Sequence, residues 1–238
     1  VGLAALLWWA GAALFARVEE LPGATGGGKN ALDEARHGFG LARSLSPYRR
    51  YLIARGLLVT VEISAPFYEL FAREVFHGAL AGLGVYVLAV GIGNVVASPF
   101  WGKLADLSAR STLVLSGALA AALALASLGL GVLPAAWRTP WLFGLVFVAL
   151  GIAQSGVRLG RKTYLVDAVP GDDRPVYVAF ANTTIGAVTV GWGALGLLAE
   201  AVGLRGLLLA LAVLAVAGGL ASASMPEASR FTAVSPGR

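Results

Sequence analysis

The chain has 238 residues, of which 58% are apolar and only 13% are charged, and its sequence contains no cysteine. A soluble domain of this length cannot bury so much apolar surface, so most of the chain is expected to lie in lipid. Without cysteine, disulfides, thiolate metal sites and cysteine nucleophiles are excluded. The formal net charge of +5 would suit nucleic acid, but the placement of the basic residues favours a topological explanation.

Seven segments of the sequence approach or exceed the roughly 20 apolar residues that a transmembrane helix needs. In chain order they are segment A, 1–16; B, 51–72; C, 78–102; D, 111–137; E, 139–157 or 139–165; F, 175–199; and G, 206–226. The predicted fold is therefore an all-α membrane protein, a helical bundle of about seven transmembrane helices.

Segment A begins at Val1 without the charged stretch that opens a signal peptide. We interpret it as a helix of a longer parent, which makes this chain an incomplete part of that protein. The glycine-rich stretch at 23–30 resembles a phosphate-binding loop, but it lacks the final hydroxyl residue and the preceding strand, so it is interpreted as a flexible linker. Apolar residues at helical spacing between 32 and 45 then predict a short amphipathic helix on the membrane surface.

Lysine and arginine set the orientation of the bundle. The alternating loops place 14 basic residues on one side and three on the other, with Arg55 inside segment B. By the positive-inside rule the first side is cytoplasmic. The expected localisation is a multi-pass protein of the cell membrane with a cytoplasmic C-terminus and no nucleic-acid partner.

Segment B carries three charged residues, Arg55, Glu62 and Glu69, whose spacing of seven would place them on one face of a continuous helix. Glu62 would lie about 17 Å from the cytoplasmic end of the segment, near the middle of the membrane. A carboxylate at that depth is costly without a partner or water, so a functional role is the default hypothesis. Alternatively, Glu62 hydrogen-bonds between helices, and Arg55 and Glu69 extend to opposite interfaces.

Pro66 should kink segment B and leave a carbonyl near Glu62 without its helical partner. No basic residue lies one turn from Glu62 on the same helix, which raises the hypothesis that Glu62 carries a coupling proton. Three further polar residues, Asn94, Gln154 and Asn182, could either contact substrate or hydrogen-bond between helices. The basic residues that close segment E are interpreted mainly as topology determinants: Arg158, Arg161 and Lys162.

The tight loop at 102–111, with the sequence GKLADLSARS, resembles the cytoplasmic loop signature of the major facilitator superfamily, G-x-L-A-D-R-x-G-R-K. Five positions match: Gly102, Leu104, Ala105, Asp106 and Arg110. Three positions depart, and this degraded form suits the second copy of the signature, after the eighth helix. Segment A would then be helix six, and segments B to G would be helices seven to twelve.

From the residues alone, Gly102 would allow a tight turn and Asp106 would accept backbone N–H groups at a helix N-terminus. Arg110 would pair with a carboxylate or a lipid phosphate. The plainer interpretation of this loop is a capped turn with an arginine that extends to the interface.

The resemblance implies secondary active transport of a small solute by alternating access. The last six helices would form two inverted three-helix repeats, B–C–D and E–F–G. The expected domains are a transmembrane helix at 1–17, a cytoplasmic linker at 18–50, a six-helix half at 51–226 and a tail at 227–238. The partners implied are membrane lipid, the solute, coupling protons and an N-terminal half of the transporter.

No catalytic, metal-binding or cofactor motif occurs in the sequence, so neither enzyme activity nor a metal or cofactor is predicted. Two other classes stay open: a membrane-embedded enzyme that acts on lipid, and a non-transporting membrane fragment or scaffold. The substrate, the direction of transport and the coupling ion cannot be read from the sequence.

Overall fold

The computed structural model describes residues 9, 11–14, 39–40, 43, 45–76, 83–134, 139–169 and 174–230. The chain divides into two compact units, Val1–Glu34 and Ala35–Arg238. In the first unit the described residues, Trp9 and 11–14, are helical. Most of segment A, the glycine-rich linker, most of the predicted amphipathic helix and the end of the tail lie outside the described residues. The predicted domain boundaries stay predictions.

The second unit contains most of the helices that the structure describes. They are α1, Ser46–Ile63; α2, Ala65–Val75; α3, Leu83–Leu107; α4, Ala109–Val132; α5, Pro140–Ala168; α6, Arg174–Trp192; and α7, Leu195–Ala223. The described residues include no strand. The all-α helical membrane bundle predicted from the sequence is confirmed.

Four stretches within these helices are long and apolar enough to cross a membrane: Gly84–Leu107, Ala109–Val132, Trp141–Ala168 and Leu195–Ala223. Segments B and F of the sequence prediction do not reach this standard among the described residues. Segment B is divided into α2 and α1, which carries four charged residues, and α6 is long enough at 19 residues but not apolar enough. Large apolar side chains such as Val95, Trp141 and Val213 are exposed, as expected for a surface that faces lipid.

The boundaries of segments F and G differ from the prediction because glycine interrupts the helices. Segment F was predicted to reach residue 199, but α6 ends at Trp192 and α7 begins at Leu195. Gly191 and Gly193 flank that end and weaken the helix there. Within α7, Gly203 adopts φ 74° and ψ 169°, a conformation that favours glycine, and it interrupts the helix between two arms.

Helices α3 and α5 both continue past the predicted ends of their apolar segments. Segment C was predicted to end at residue 102, whereas α3 ends at Leu107, and α5 runs to Ala168. Hydropathy marks the stretch that lies in hydrocarbon, but a helix keeps its backbone hydrogen bonds as it enters the polar headgroup region. The helices therefore extend several residues beyond their apolar parts.

The helix pairings follow the symmetry of two repeats. Helix α3 packs on α5 and α6 packs on α1, while α4 packs on α5 and α7 packs on α1. Helices α4 and α7 also pack on each other. When the segments α1–α2, α3 and α4 are exchanged for α5, α6 and α7, these five pairings are unchanged, whereas the packing of α3 on α4 is not matched by equally close packing of α6 on α7. The five pairings are those expected of two three-helix repeats.

The buried side chains form two clusters. The first is rich in tyrosine and includes Tyr48, Tyr51, Tyr164 and Tyr177. The rings of Tyr51 and Tyr164 stack with centroids 5.4 Å apart, and Tyr48 meets Tyr177 edge-on at 4.8 Å. The second cluster holds phenylalanine and leucine side chains from α2, α5 and α7. The tyrosine cluster therefore joins α1, α5 and α6, the helices that enclose the cavity described below.

Two glycines bring α3 and α5 into direct backbone contact. A Cβ atom on Gly93 would collide with the carbonyl of Val148, and a Cβ atom on Gly151 would collide with the carbonyl of Val90. The contact is reciprocal, because each helix places its glycine against the backbone of the other. Small residues allow close helix packing of this kind in a bilayer.

Candidate functional site

The kink predicted in segment B occurs at Ser64, between α1 and α2. Pro66 has no N–H group, so the carbonyl of Glu62 loses its normal helical partner. Gln154 of α5 takes that place, since its Nε2 atom donates to the carbonyls of Val61 at 3.1 Å and Glu62 at 3.3 Å. Gln154 was predicted either to contact substrate or to hydrogen-bond between helices. Its Nε2 atom does the second.

The carboxylate of Glu62 faces Arg161 of α5. Glu62 Oε1 and Arg161 Nε lie 3.1 Å apart, and the two side chains are 19% and 21% exposed. The separation is that of an ion pair, although the N–H bond is not aimed closely enough for a hydrogen bond. The sequence correctly shows no basic residue beside Glu62 on its own helix, but the counter-charge comes from another helix.

Arg161 was predicted mainly to set topology, and the structure adds a contact with Glu62 that the sequence did not predict. An arginine has a long side chain that points toward the N-terminus of its own helix, and α5 passes beside Glu62 through Gln154. Arg161 therefore directs its charge along the bundle toward Glu62. The hydroxyl of Tyr51 donates to the backbone carbonyl of Arg161 at 3.0 Å and fixes α5 against α1.

Arg55 lies midway along α1 and is only 8% exposed. Its Nη2 atom donates to Oδ1 of Asn182 on α6 at 2.8 Å. Its Nε atom is buried and has no hydrogen-bond partner in the described part of the chain. The ion pairs found among the described residues do not include Arg55, so the neighbours of its guanidinium are the Asn182 amide and the Tyr51 hydroxyl, both neutral.

Two further hydrogen bonds hold α6 against α1 on either side of the Arg55–Asn182 contact. The hydroxyl of Tyr48 donates to the carbonyl of Tyr177 at 2.8 Å. The indole N–H of Trp192 donates to the carbonyl of Gly56, also at 2.8 Å. Asn182 is therefore positioned by contacts at both ends of its helix, and the guanidinium of Arg55 is held in one orientation.

A cavity of about 360 Å³ opens beside Arg55, between α1, α5 and α6. We call it the arginine cavity. Its lining consists of three basic residues, two polar residues and three apolar ones: Arg55, Arg161, Lys162, Tyr51, Asn182, Leu165, Val166 and Val178. The structure thus brings together two of the predicted pathway residues, Arg55 and Asn182, with the partner of a third, Glu62.

The remaining candidates lie outside the arginine cavity. Asn94 donates from Nδ2 to the carbonyl of Val90 on its own helix at 2.9 Å. Glu69 pairs with Arg73 one turn later on α2, at 2.6 Å, and lines a separate cavity of about 260 Å³. Arg55 and Glu62 both lie in the uninterrupted helix α1, as their spacing predicted, whereas the break at Ser64 places Glu69 in the separate helix α2.

The loop with the signature residues is shorter than predicted. Gly102, Leu104, Ala105 and Asp106 all belong to α3, and Ser108 alone separates α3 from α4. The roles predicted for Gly102 and Asp106 are wrong in this respect. Gly102 is an ordinary helical residue, and Ser108 caps α4 by accepting a hydrogen bond from the N–H group of Ser111 at 3.0 Å.

Arg110 binds the segment that follows α7. Its Nη2 atom lies 2.7 Å from Oε1 of Glu227, and its Nη1 atom donates to the carbonyl of Met225 at 3.2 Å. Ser108 Oγ also donates to the Glu227 carboxylate at 3.1 Å. Arg110 was predicted to pair with a carboxylate or a lipid phosphate, and in the structure it pairs with a carboxylate. We call Ser108, Arg110, Met225 and Glu227 the cytoplasmic-loop clamp.

Two other side chains hold the same C-terminal segment. Arg50 donates to the carbonyl of Ser224 at 2.7 Å, and the hydroxyl of Tyr164 donates to the carbonyl of Pro226 at 3.0 Å. Sequence reasoning missed Glu227, which was assigned to a tail. Its position in the sequence could have indicated the contact, because Glu227 follows segment G directly and lies on the same predicted side of the membrane as Arg110.

No curated protein and no solved structure matched the chain. The family model of the Major Facilitator Superfamily matches residues 51–235, a stretch that includes every described helix from the second turn of α1 onward. The match covers most of the chain, so the chain belongs to the major facilitator superfamily of membrane transporters.

Proposed function

We propose that the protein carries out secondary active transport of a small solute across the cell membrane by alternating access, and that the arginine cavity lies on the solute path. The observation that carries this proposal is the gathering of buried and half-buried charges at one place within the helical bundle. Arg55 and the Glu62–Arg161 pair come from two helices. Charged residues inside a membrane are costly, and they mark substrate or ion pathways.

Residues 51–226 would form one wall of that path. In this superfamily the path lies between two six-helix halves related by approximate symmetry. The facing wall would therefore come from helices outside 51–226, and the chain would act as part of a larger transporter.

The proposed orientation places the cytoplasmic-loop clamp on the inner side of the membrane. The contacts of Arg50 and Arg110 with Ser224 and Glu227 put the start of α1, the start of α4 and the end of α7 at one end of the bundle. That end carries the excess of basic residues, which favours the cytoplasm. A reporter fused after Arg238 should read cytoplasmic, and one inserted near Arg138 should read external; the reverse pattern in both would overturn the orientation.

Thiol labelling provides the test of alternating access, because this chain has no cysteine of its own. In the natural full-length protein, with any cysteine elsewhere replaced, the Val178→Cys variant places one thiol in the arginine cavity. A membrane-impermeant maleimide should label it in both intact cells and inverted membrane vesicles. The Val213→Cys variant on the exposed face of α7 is the matched control and should stay unlabelled from both sides. Labelling of the Val178→Cys variant from one side only would contradict alternating access at this cavity.

A further inference from the structure

We propose that the arginine cavity binds an oxyanion group, a carboxylate or a phosphate, on the solute that the protein moves. The assignment of the ligand as transported solute rests on the proposed function, whereas the anion site itself rests on the geometry below. The first observation is the state of Arg55, a guanidinium that is 8% exposed and keeps a buried Nε–H group without a partner.

A buried cation without a counter-charge is unfavourable. Arg55 lies about 14 Å from the start of α1 at Ser46, at 1.5 Å per residue, well inside the helix. Its neighbour Asn182 offers a neutral oxygen, which satisfies one N–H group but does not neutralise the charge. Among the described residues no carboxylate forms an ion pair with Arg55, and Glu62 of α1 is paired with Arg161 instead. The missing negative charge is therefore best supplied by a ligand.

The charges around the cavity also favour an anion. Three basic residues line it, Arg55, Arg161 and Lys162, and no acidic residue does so among those described. Glu62 offsets Arg161 through their ion pair, which leaves a net positive charge from Arg55 and from Lys162 at the exposed edge. An anion that enters would gain from both charges and would not meet a carboxylate in the lining.

The size and the lining of the cavity indicate a small organic or inorganic anion. A volume of about 360 Å³ is at the lower end of the range for small-molecule sites. Leu165, Val166 and Val178 give an apolar wall that suits a short carbon skeleton. The Nε–H group and the adjoining Nη group of a guanidinium form a planar fork that matches two oxygens of a carboxylate or phosphate. Asn182 accepts a hydrogen bond from Nη2 of Arg55 and leaves the buried Nε–H group without a partner.

The experiment measures anion binding by the purified natural full-length protein in detergent, through its melting temperature. The probes are the sodium salts of acetate, succinate and inorganic phosphate, compared with sodium chloride at equal ionic strength. At about five times its Kd, a bound anion should raise the Tm by roughly 2–4 °C. At least one probe should do so for the unmodified protein and for the control variant Arg73→Gln, whose arginine pairs with Glu69 away from the cavity. The Arg55→Gln variant should lose this response.

A second variant tests the site even if Arg55→Gln fails to fold. Val178 lies one turn before Asn182 on α6 and lines the cavity, so Val178→Glu places a carboxylate where the anion would bind. This variant should melt at a higher temperature without added anion and should no longer respond to any probe. An unchanged response in Val178→Glu or in Arg55→Gln would overturn the site, as would the absence of a response to all three probes in the unmodified protein.

Three further outcomes distinguish the anion site from a lipid-headgroup site and from the proposed alternating access. A rise in Tm with phosphatidylglycerol micelles but with none of the soluble anions would identify a lipid-headgroup site and overturn the solute assignment. An anion response together with one-sided labelling of the Val178→Cys variant would keep the anion site and overturn the proposed alternating access. Two-sided labelling without an anion response would keep the transport proposal and overturn the anion site.

Discussion

Arg110 in the cytoplasmic-loop clamp and Arg55 in the arginine cavity are both arginines that join helices distant in sequence, but they differ in what they contact. Arg110 has a carboxylate at 2.7 Å and a carbonyl at 3.2 Å. Arg55 has an amide oxygen at 2.8 Å, the neutral Tyr51 hydroxyl beside it, and a buried N–H group without a partner. Arg110 is also about one-third exposed, whereas Arg55 is almost fully buried.

The difference separates a structural role from a binding role. An arginine that is already paired at the surface stabilises the contact it makes, to a modest degree. A buried arginine that lacks a negative partner destabilises the protein until one arrives. Arg110 should therefore matter for stability and Arg55 for ligand affinity, and the variants below test this division.

The largest effect is expected for Arg55→Gln on transport of the anion identified in the binding experiment. Loss of a hydrogen bond to a charged group weakens binding by about 10–100-fold. The half-saturation concentration for uptake into proteoliposomes should rise by that factor, while Arg110→Gln leaves it unchanged. Equal effects of the two variants on this constant would remove the distinction between the arginines.

The next effect concerns Glu62→Gln, which removes the only charge described as paired with Arg161. The cavity then gains a further unpaired cation, so affinity for the anion should rise by about three- to tenfold. The control Glu69→Gln alters a carboxylate of α2 that is paired with Arg73 and should not change affinity. Weaker anion binding by Glu62→Gln would show that Glu62 serves the cavity in another way.

The hypothesis that Glu62 carries a coupling proton predicts a separate result with the same variant. Glutamine keeps the shape of the side chain but cannot titrate. Arg161 of α5 is the charged group found facing Glu62 among the described residues, so proton uptake would require that pair to open. Uptake driven by a pH gradient should stop while exchange of solute continues. A normal pH dependence of accumulation in the variant would rule out the proton-carrier role.

A smaller effect is expected when the clamp is broken by Arg110→Gln. The variant loses an ion pair that is about one-third exposed, which should lower stability by about 1 kcal/mol and the Tm by roughly 2–4 °C. The exchange Arg110→Glu with Glu227→Arg should recover most of this loss, since it restores the pair with reversed charges. No recovery would mean that the contact of Arg110 with the Met225 carbonyl, and not the ion pair, stabilises the segment.

The smallest effect distinguishes the two candidate caps of α4. Ser108→Ala removes the cap and should cost roughly 0.5–1 kcal/mol. Asp106→Asn, at an exposed helical position of α3, should change stability by less than about 0.5 kcal/mol. Thermal melts followed by tryptophan fluorescence measure both. A larger loss for Asp106→Asn would return the capping role to the residue that the sequence favoured.

The sequence predicted the helical membrane bundle, the family and the kink near Pro66, because apolar length, a loop signature and a missing N–H group are local properties. It did not predict the pairs Glu62–Arg161 and Arg110–Glu227, whose members are far apart in the chain. The contact of Arg161 with Glu62 was missed for a physical reason. A basic residue near the end of an apolar segment has the same sequence signature whether its side chain extends toward water or along the bundle.

The direct backbone contact of α3 and α5 at Gly93 and Gly151 has a mechanical consequence. Backbones that touch without intervening side chains leave no room for either helix to slide or tilt independently. Although α3 and α5 come from different repeats, the two helices should move together as one rigid body. Bending would then be confined to places where the helical structure is already interrupted. These are Ser64, between α1 and α2, and Gly203, within α7.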